Sequence, residues 1–128
     1  MNRIDANVVL RYLLDDHKEL SDRAAQIIDK ENIYIATEVI CEIVYVLYRV
    51  YNVPRKEISE KIKSFIAQEN TTCSEPNVIK TALDLYQHEN IDFVDCILCA
   101  HNKIKADRII TFDKKIESIT GRKTSDQQ

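Results

Sequence analysis

Asp92 and Asp95 stand three residues apart in "IDFVDCILCA" (residues 91–100), a stretch whose other side chains are all apolar. Aspartate is among the residues least often buried, so two of them along an apolar helix-like segment need a reason. Local structure supplies one of the two. Asp92 is placed as a helix N-cap, with Asp95 three positions on, in the manner of a capping box with Asp where Glu is usual. Asp95 remains over, aligned along the helix toward Leu98 and Cys99, which have the character of core positions.

Further acids occur where an α/β fold would collect them. Asp5 directly follows Ile4, Glu42 lies within the run "TEVICEIVYVLYRVY", and Asp113 comes two residues after "DRIIT". Each has a local alternative. Asp5 could start an Asx turn with Asn7, and Asp113 could cap the short helix "KKIESI". Glu42 falls in a narrow stripe with Glu38, Tyr45 and Arg49, which reads equally as a solvated face. Gathered at one sheet edge, however, four carboxylates would repel unless a cation lay among them. Mg²⁺ or Mn²⁺ suits such oxygen donors. Zinc does not, because no His or Cys cluster accompanies the acids.

The segments around these acids alternate short β-rich runs with helical periodicity. "NRID", "NIYIA", "NTTCS" and "DRIIT" read as strands, the last of them buried. Between them, "NVVLRYLLD", a helix capped by Ser21 and running to about Lys30, Thr37 to about Tyr51, "PRKEISEKIKSFIAQ" after Pro54, "PNVIKTALDLYQH" and a helix from the opening stretch to about Ala106 have apolar faces. This order predicts an α/β fold: a mainly parallel sheet of about five short strands with helices on both faces. Function then gathers at the carboxyl ends of the strands. We expect one domain over residues 1–123 and a frayed tail at 124–128.

Composition excludes several classes. With 128 residues, 45% hydrophobic content and a formal net charge of −3, the chain has enough apolar residues for one core. No apolar run reaches the roughly 18 residues of a membrane span, and the N-terminus lacks a secretory pattern, so a cytoplasmic location with no membrane partner is expected. A single glycine, Gly121, rules out the phosphate-cradling GxGxxG and GxxxxGK[ST] loops. Cys96 and Cys99 form a CxxC with His101 close by, but no second ligand pair accompanies them, so core packing is the expected role.

In order and spacing these motifs resemble the PIN-domain ribonucleases, most closely the small VapC-like toxins of toxin–antitoxin pairs. "IDANVVLRYLL" is similar to the family's opening D-x-N and aliphatics, and "TEVICEIVYVLYRVY" to its helix with an internal Glu. "DFVDCILCAHNKIKADRIITFDKKI" is similar to its D-F-x-D, helix, strand and T-x-D ending. The chain departs from the pattern at Cys96, where the family often has Ala, and at Ile116, where it often has Phe. The resemblance implies metal-binding acids at Asp5 and Asp95, with Glu42 and Asp113 completing a catalytic set. Asp92 matches the less essential first acid of D-F-x-D. Asn7 and Thr111 are candidates to orient the acids. The implied activity is endoribonuclease cleavage with Mg²⁺ (or Mn²⁺), by a homodimer held in check by a cognate antitoxin.

An acidic site acting on RNA needs cations around it. Residues 103–123 carry seven Lys/Arg against three acids, which makes Lys114, Lys115, Arg122 and Lys123 candidate RNA contacts. Two other classes compete. A phosphoacceptor receiver domain would want paired acids after the first strand and an Asp after the third, whereas Ala6 follows Asp5 and "NTTCS" has none. A non-catalytic binding module would use the acids only to pair with a partner's arginines.

Overall fold

The structure, a computed structural model, describes residues 1–121. They form three strands and seven helices: β1 (Asn2–Arg3), α1 (Ala6–Leu14), α2 (Lys18–Lys30), β2 (Ile33–Ile35), α3 (Thr37–Arg49), α4 (Arg55–Ile66), β3 (Thr71–Cys73), α5 (Pro76–His88), α6 (Phe93–Lys105) and α7 (Lys114–Thr120). The fold is α/β, and every strand pairing is parallel, as the alternating pattern predicts. The chain divides into two compact units, residues 1–76 and residues 77 onward.

The first unit holds the sheet, in the order β1-β2-β3. Asn2 pairs with Ile33, and Ile33 in turn with Thr71. The Ile4 amide donates to the Tyr34 carbonyl at 3.2 Å, carrying the ladder one residue past β1. It stops there because Asp5 turns the chain into α1: its Oδ1 accepts from the Ala6 amide at 2.8 Å. Pairs of helices, α1–α2 and α3–α4, link successive parallel strands, since such strands need a long crossover. On α3 the buried residues are Ile40, Ile43, Val44 and Leu47, the i, i+3, i+4, i+7 stripe of an amphipathic helix. Each such side chain contributes about 1.5–3 kcal/mol by leaving water.

Two details of this unit differ from the sequence reading. Helix α2 starts at Lys18, a turn earlier than Ser21, because His17 is the N-cap and its Nδ1 accepts from the Leu20 amide at 3.2 Å. Ser21 is instead buried inside α2, where its hydroxyl donates to the Arg11 carbonyl at 2.9 Å and ties α2 to α1.

The second unit is helical. Phe93, Cys96, Cys99 and Ala100 form the buried side of α6, and the Phe93 ring meets Tyr86 of α5 edge-on at 5.8 Å. Helix α7 packs with α6 through buried Ile116. Gly121 ends α7 in the left-handed region (φ 71°), where glycine carries no Cβ penalty.

Three strands are formed among the described residues where about five were expected, and of the four segments named as strands "DRIIT" is the one without a ladder. Residues 107–112 follow the α6 C-cap at Ala106 as irregular chain with no ladder. Only Ile109 of the segment is buried, while Ile110 and Phe112 are exposed. Its β-branched composition is compatible with a strand, but strand propensity is expressed only where a neighbouring ladder takes it up. The expected tail at 124–128 lies outside the described residues.

This difference can be measured. Ile109→Ala should cost about 2–3 kcal/mol of stability, whereas Ile110→Ser should stay within about 0.5 kcal/mol. Thermal or denaturant melts of the two variants test it. Equal, large losses would mean that both residues are packed as in a buried strand.

Candidate active site

The acids singled out from the sequence are carried mainly at helix starts, each for a local reason. In the first unit Asp5 occupies the N-cap of α1, one residue beyond the last ladder bond of β1. Its neighbour Asn7 is exposed and makes no hydrogen bond to an acid among the described residues, so the Asx turn between them is absent. Glu42 lies one turn into α3, exposed in the same stripe as Glu38, Tyr45 and Arg49. The periodicity of that helix is thus realised: its apolar residues face inward and this polar row faces water.

The second unit contributes Asp92, Asp95 and Asp113. Asp113 is the N-cap of α7, and one of its oxygens, Oδ1, accepts from the amides of Lys115 (2.8 Å) and Ile116 (3.1 Å). Thr111 Oγ1 accepts from the Asp113 amide at 3.0 Å, so the turn that presents this carboxylate is fixed on both sides. Lys115 then donates from Nζ to the Asn90 carbonyl at 3.3 Å, fastening the start of α7 to the loop that precedes α6.

Asp92 occupies the N-cap position of α6 with extended backbone (φ −65°, ψ 153°), but its side chain makes no capping bond. The expected capping role is corrected here. What Asp92 supplies is charge: burial raises the proton affinity of half-buried Asp95 above the ordinary carboxylate value, and the charges of Asp92 and Asp113 raise it further. These three acids therefore feel one another. Along the face that Asp95 shares, Cys99 is buried as expected while Leu98 is exposed.

Cys96 and Cys99 have no exposed surface. Burial pushes the Cys99 thiol up, and Asp95 adds to the effect, so its thiolate, the form that binds metal or attacks, is disfavoured. His101 turns elsewhere, its Nδ1 lying 3.7 Å from an Asp107 carboxylate oxygen. Lys114 is exposed on the first turn of α7. Arg122 and Lys123 lie outside the described residues.

The donors fit a hard divalent cation in kind, since all are carboxylate oxygens and those of the second unit already repel. Among the described residues no group of three or more His, Cys, Asp or Glu is assembled into a metal cage. Magnesium does not require one, because it is commonly held by one or two carboxylates with water and substrate phosphate. A hollow of about 390 Å³ between α1 and α4 contains none of the candidate catalytic acids. It is lined by residues such as Tyr12, Lys61 and Gln68, so concavity does not locate the chemistry. No helix among the described residues is long and apolar enough to cross a membrane.

Asp95 makes a pH-dependent prediction. A carboxyl whose folded pKa is raised contributes stability below its unfolded value and loses that contribution as pH rises through the folded value. Ionised Asp95 therefore weakens the fold at neutral pH, and Asp95→Asn should melt higher there without divalent ions. The advantage should fade as pH falls below the ordinary carboxylate value of 3.8. Added Mg²⁺ should raise the wild-type melting temperature more than that of the variant. Lower stability of Asp95→Asn at neutral pH would contradict the repulsion. The thiols yield a second expectation: Cys96→Ala with Cys99→Ala should lose roughly 1 kcal/mol per truncated side chain through packing. Loss of stoichiometric bound metal in the folded double variant would reinstate the CxxC as a ligand pair.

The model of the PIN domain matches residues 4–121, nearly the whole chain. No curated protein and no solved structure matches.

Proposed function

Because the chain belongs to the PIN-domain family, whose members are generally nucleases, we propose that it is a metal-dependent endoribonuclease and the toxin of a toxin–antitoxin pair. The observation that supports this reading is half-buried Asp95, whose proton affinity is raised first by burial and then by the charges of Asp92 and Asp113. A group of acids that raises the proton affinity of its own half-buried member weakens the fold, and a bound divalent cation offsets that cost.

The proposed catalytic carboxylates are Asp5 and Glu42 from the first unit and Asp95 and Asp113 from the second. As metal-holding acids we propose Asp5 in the first unit and Asp95 in the second. Bound Mg²⁺ or Mn²⁺ would supply charge neutralisation at the scissile phosphate and a more acidic attacking water. The protein's part is positioning. Asp113 commits Oδ1 to the backbone of α7 and keeps Oδ2 for other work. Thr111 fixes the turn beneath it. Glu42, exposed on α3, and Asp113 are the candidates to take up the proton released from water. Lys114 and Lys115 bring positive charge next to Asp113, which an anionic substrate needs.

A homodimer and a cognate antitoxin belong to the same proposal. Its support is the outer face of α3 and the turn after it, where Tyr45, Tyr48, Val50 and Tyr51 are exposed. Aromatic residues of this kind are enriched at protein interfaces.

RNA cleavage by the purified protein should be lost in excess chelator and return with Mg²⁺ or Mn²⁺, but not with Zn²⁺ alone. Asp95→Asn should lower the rate by orders of magnitude while the protein remains folded, and Asp92→Asn should change it little. Equal cleavage in excess EDTA would sink the metal mechanism. Full activity in both variants would mean that these acids are not the catalytic site, and no cleavage by the wild-type protein with Mg²⁺ or Mn²⁺ would leave a non-catalytic binding module as the better reading.

A further inference from the structure

Phe112 is 93% exposed and Ile110 is 73% exposed, in a chain whose other phenylalanines, Phe65 and Phe93, are buried. A phenylalanine has no polar atom to gain from water, so this ring forgoes the burial that the rest of its kind obtain. Nor does it lie in a slack segment. The residue before it, Thr111, accepts from the Asp113 amide, and the residue after it, Asp113, caps α7 through two amides. The backbone on both sides is held, and the ring projects from that frame.

The surroundings identify what could cover it. Arg108 precedes the ring in the same exposed loop, and Lys114 and Lys115 follow it immediately. An aromatic face among cations is the combination used for single-stranded nucleic acid, where bases stack on rings while basic groups track the phosphates. A protein partner seated on Phe112 and Ile110 would have to cover these flanking cations as well, which interface cores tend to exclude.

We infer that Phe112 is a base-stacking platform: the base next to the phosphate held beside Asp113 lies against its ring, which positions single-stranded RNA for the proposed cleavage. This inference rests on the ribonuclease reading and adds to it a positioning residue outside the acids. Duplex RNA, with its bases already stacked in pairs, has no free face to offer the ring.

The test is binding, measured apart from cleavage. An Asp95→Asn parent, which leaves RNA intact, is titrated in Mg²⁺ against a fluorescein-labelled single-stranded RNA of mixed sequence and against its duplex, with anisotropy as readout. In that background Phe112→Ala should weaken single-strand binding by about 5- to 100-fold, the range for loss of one stacked base. Phe112→Trp and Phe112→Tyr should stay within about threefold of the parent, Phe112→Leu should behave like Ala, and duplex binding should not change. Melting temperature and sedimentation should be the same for all variants. Parent-level binding by Phe112→Ala or Phe112→Leu, or a loss that accompanies dissociation of a dimer, would overturn the stacking role. If neither this parent nor the wild-type protein bound either RNA, the ribonuclease reading would fall and the platform with it. Binding by the parent together with indifference to Phe112 would remove the platform alone.

Discussion

Like charges brought near one another at the start of a helix are the constraint from which the second unit takes its character. The N-terminus of α6 offers unpaired amides and the positive end of a helix dipole, a setting that favours one carboxylate by about 0.3–1 kcal/mol. Here Asp92 and Asp95 share it, and Asp113 adds its charge from the N-cap of α7. Burial first, and then the charges of Asp92 and Asp113, hold the Asp95 proton more tightly than usual. Asp5 and Asp113 lie at helix starts, where amides hold each carboxylate at modest cost.

Scaffold and site are joined through the backbone. In the first unit β1 is only two residues long because Asp5 must end it and begin α1. The ladder bond from Ile4 to Tyr34 places that transition at the carboxyl end of a parallel strand, where α/β folds present their functional groups. In the second unit a chain of short contacts runs from Thr111 through the Asp113 amide to α7, and from Lys115 back to Asn90 ahead of α6. At α7 the contacts that define the helix start also set the acid it carries.

Much of this was readable from residue types. Apolar periodicity located α3, α5 and α6 within a residue or two, because their buried stripes are long enough to override local ambiguity. Asp113 as a helix cap was equally legible, since the Asp amid "TFDKKI" meets a local requirement. What failed had non-local causes. Ser21 looked like a cap, but whether a serine caps a helix or bonds across to another depends on where the neighbouring helix lies, and the Arg11 carbonyl claimed it. His17 escaped notice because a neutral imidazole nitrogen is a less common capping acceptor than a hydroxyl or carboxylate. "DRIIT" had strand-like composition without a ladder to join. Asp92 held the N-cap position without the bond, because position follows from backbone angles whereas the bond also needs a particular rotamer.

The division of labour within a single carboxylate follows from these geometries. An aspartate at an N-cap needs one oxygen for the helix amides, and the other remains available. Asp5 bonds the Ala6 amide through Oδ1, and Asp113 bonds the Lys115 and Ile116 amides through Oδ1. Removing either side chain would therefore confound two effects, fraying of a helix and loss of an acid. Asparagine separates them, because its carbonyl oxygen caps about as well as a carboxylate while the charge is gone. Asp95 carries no capping duty, so its ionisation is free of that second role. Asp5 and Asp113 are thus oriented by the helices they begin, whereas the proton affinity of Asp95 is set by its burial and its neighbours. Asp95 is where a cation's arrival would be felt most strongly.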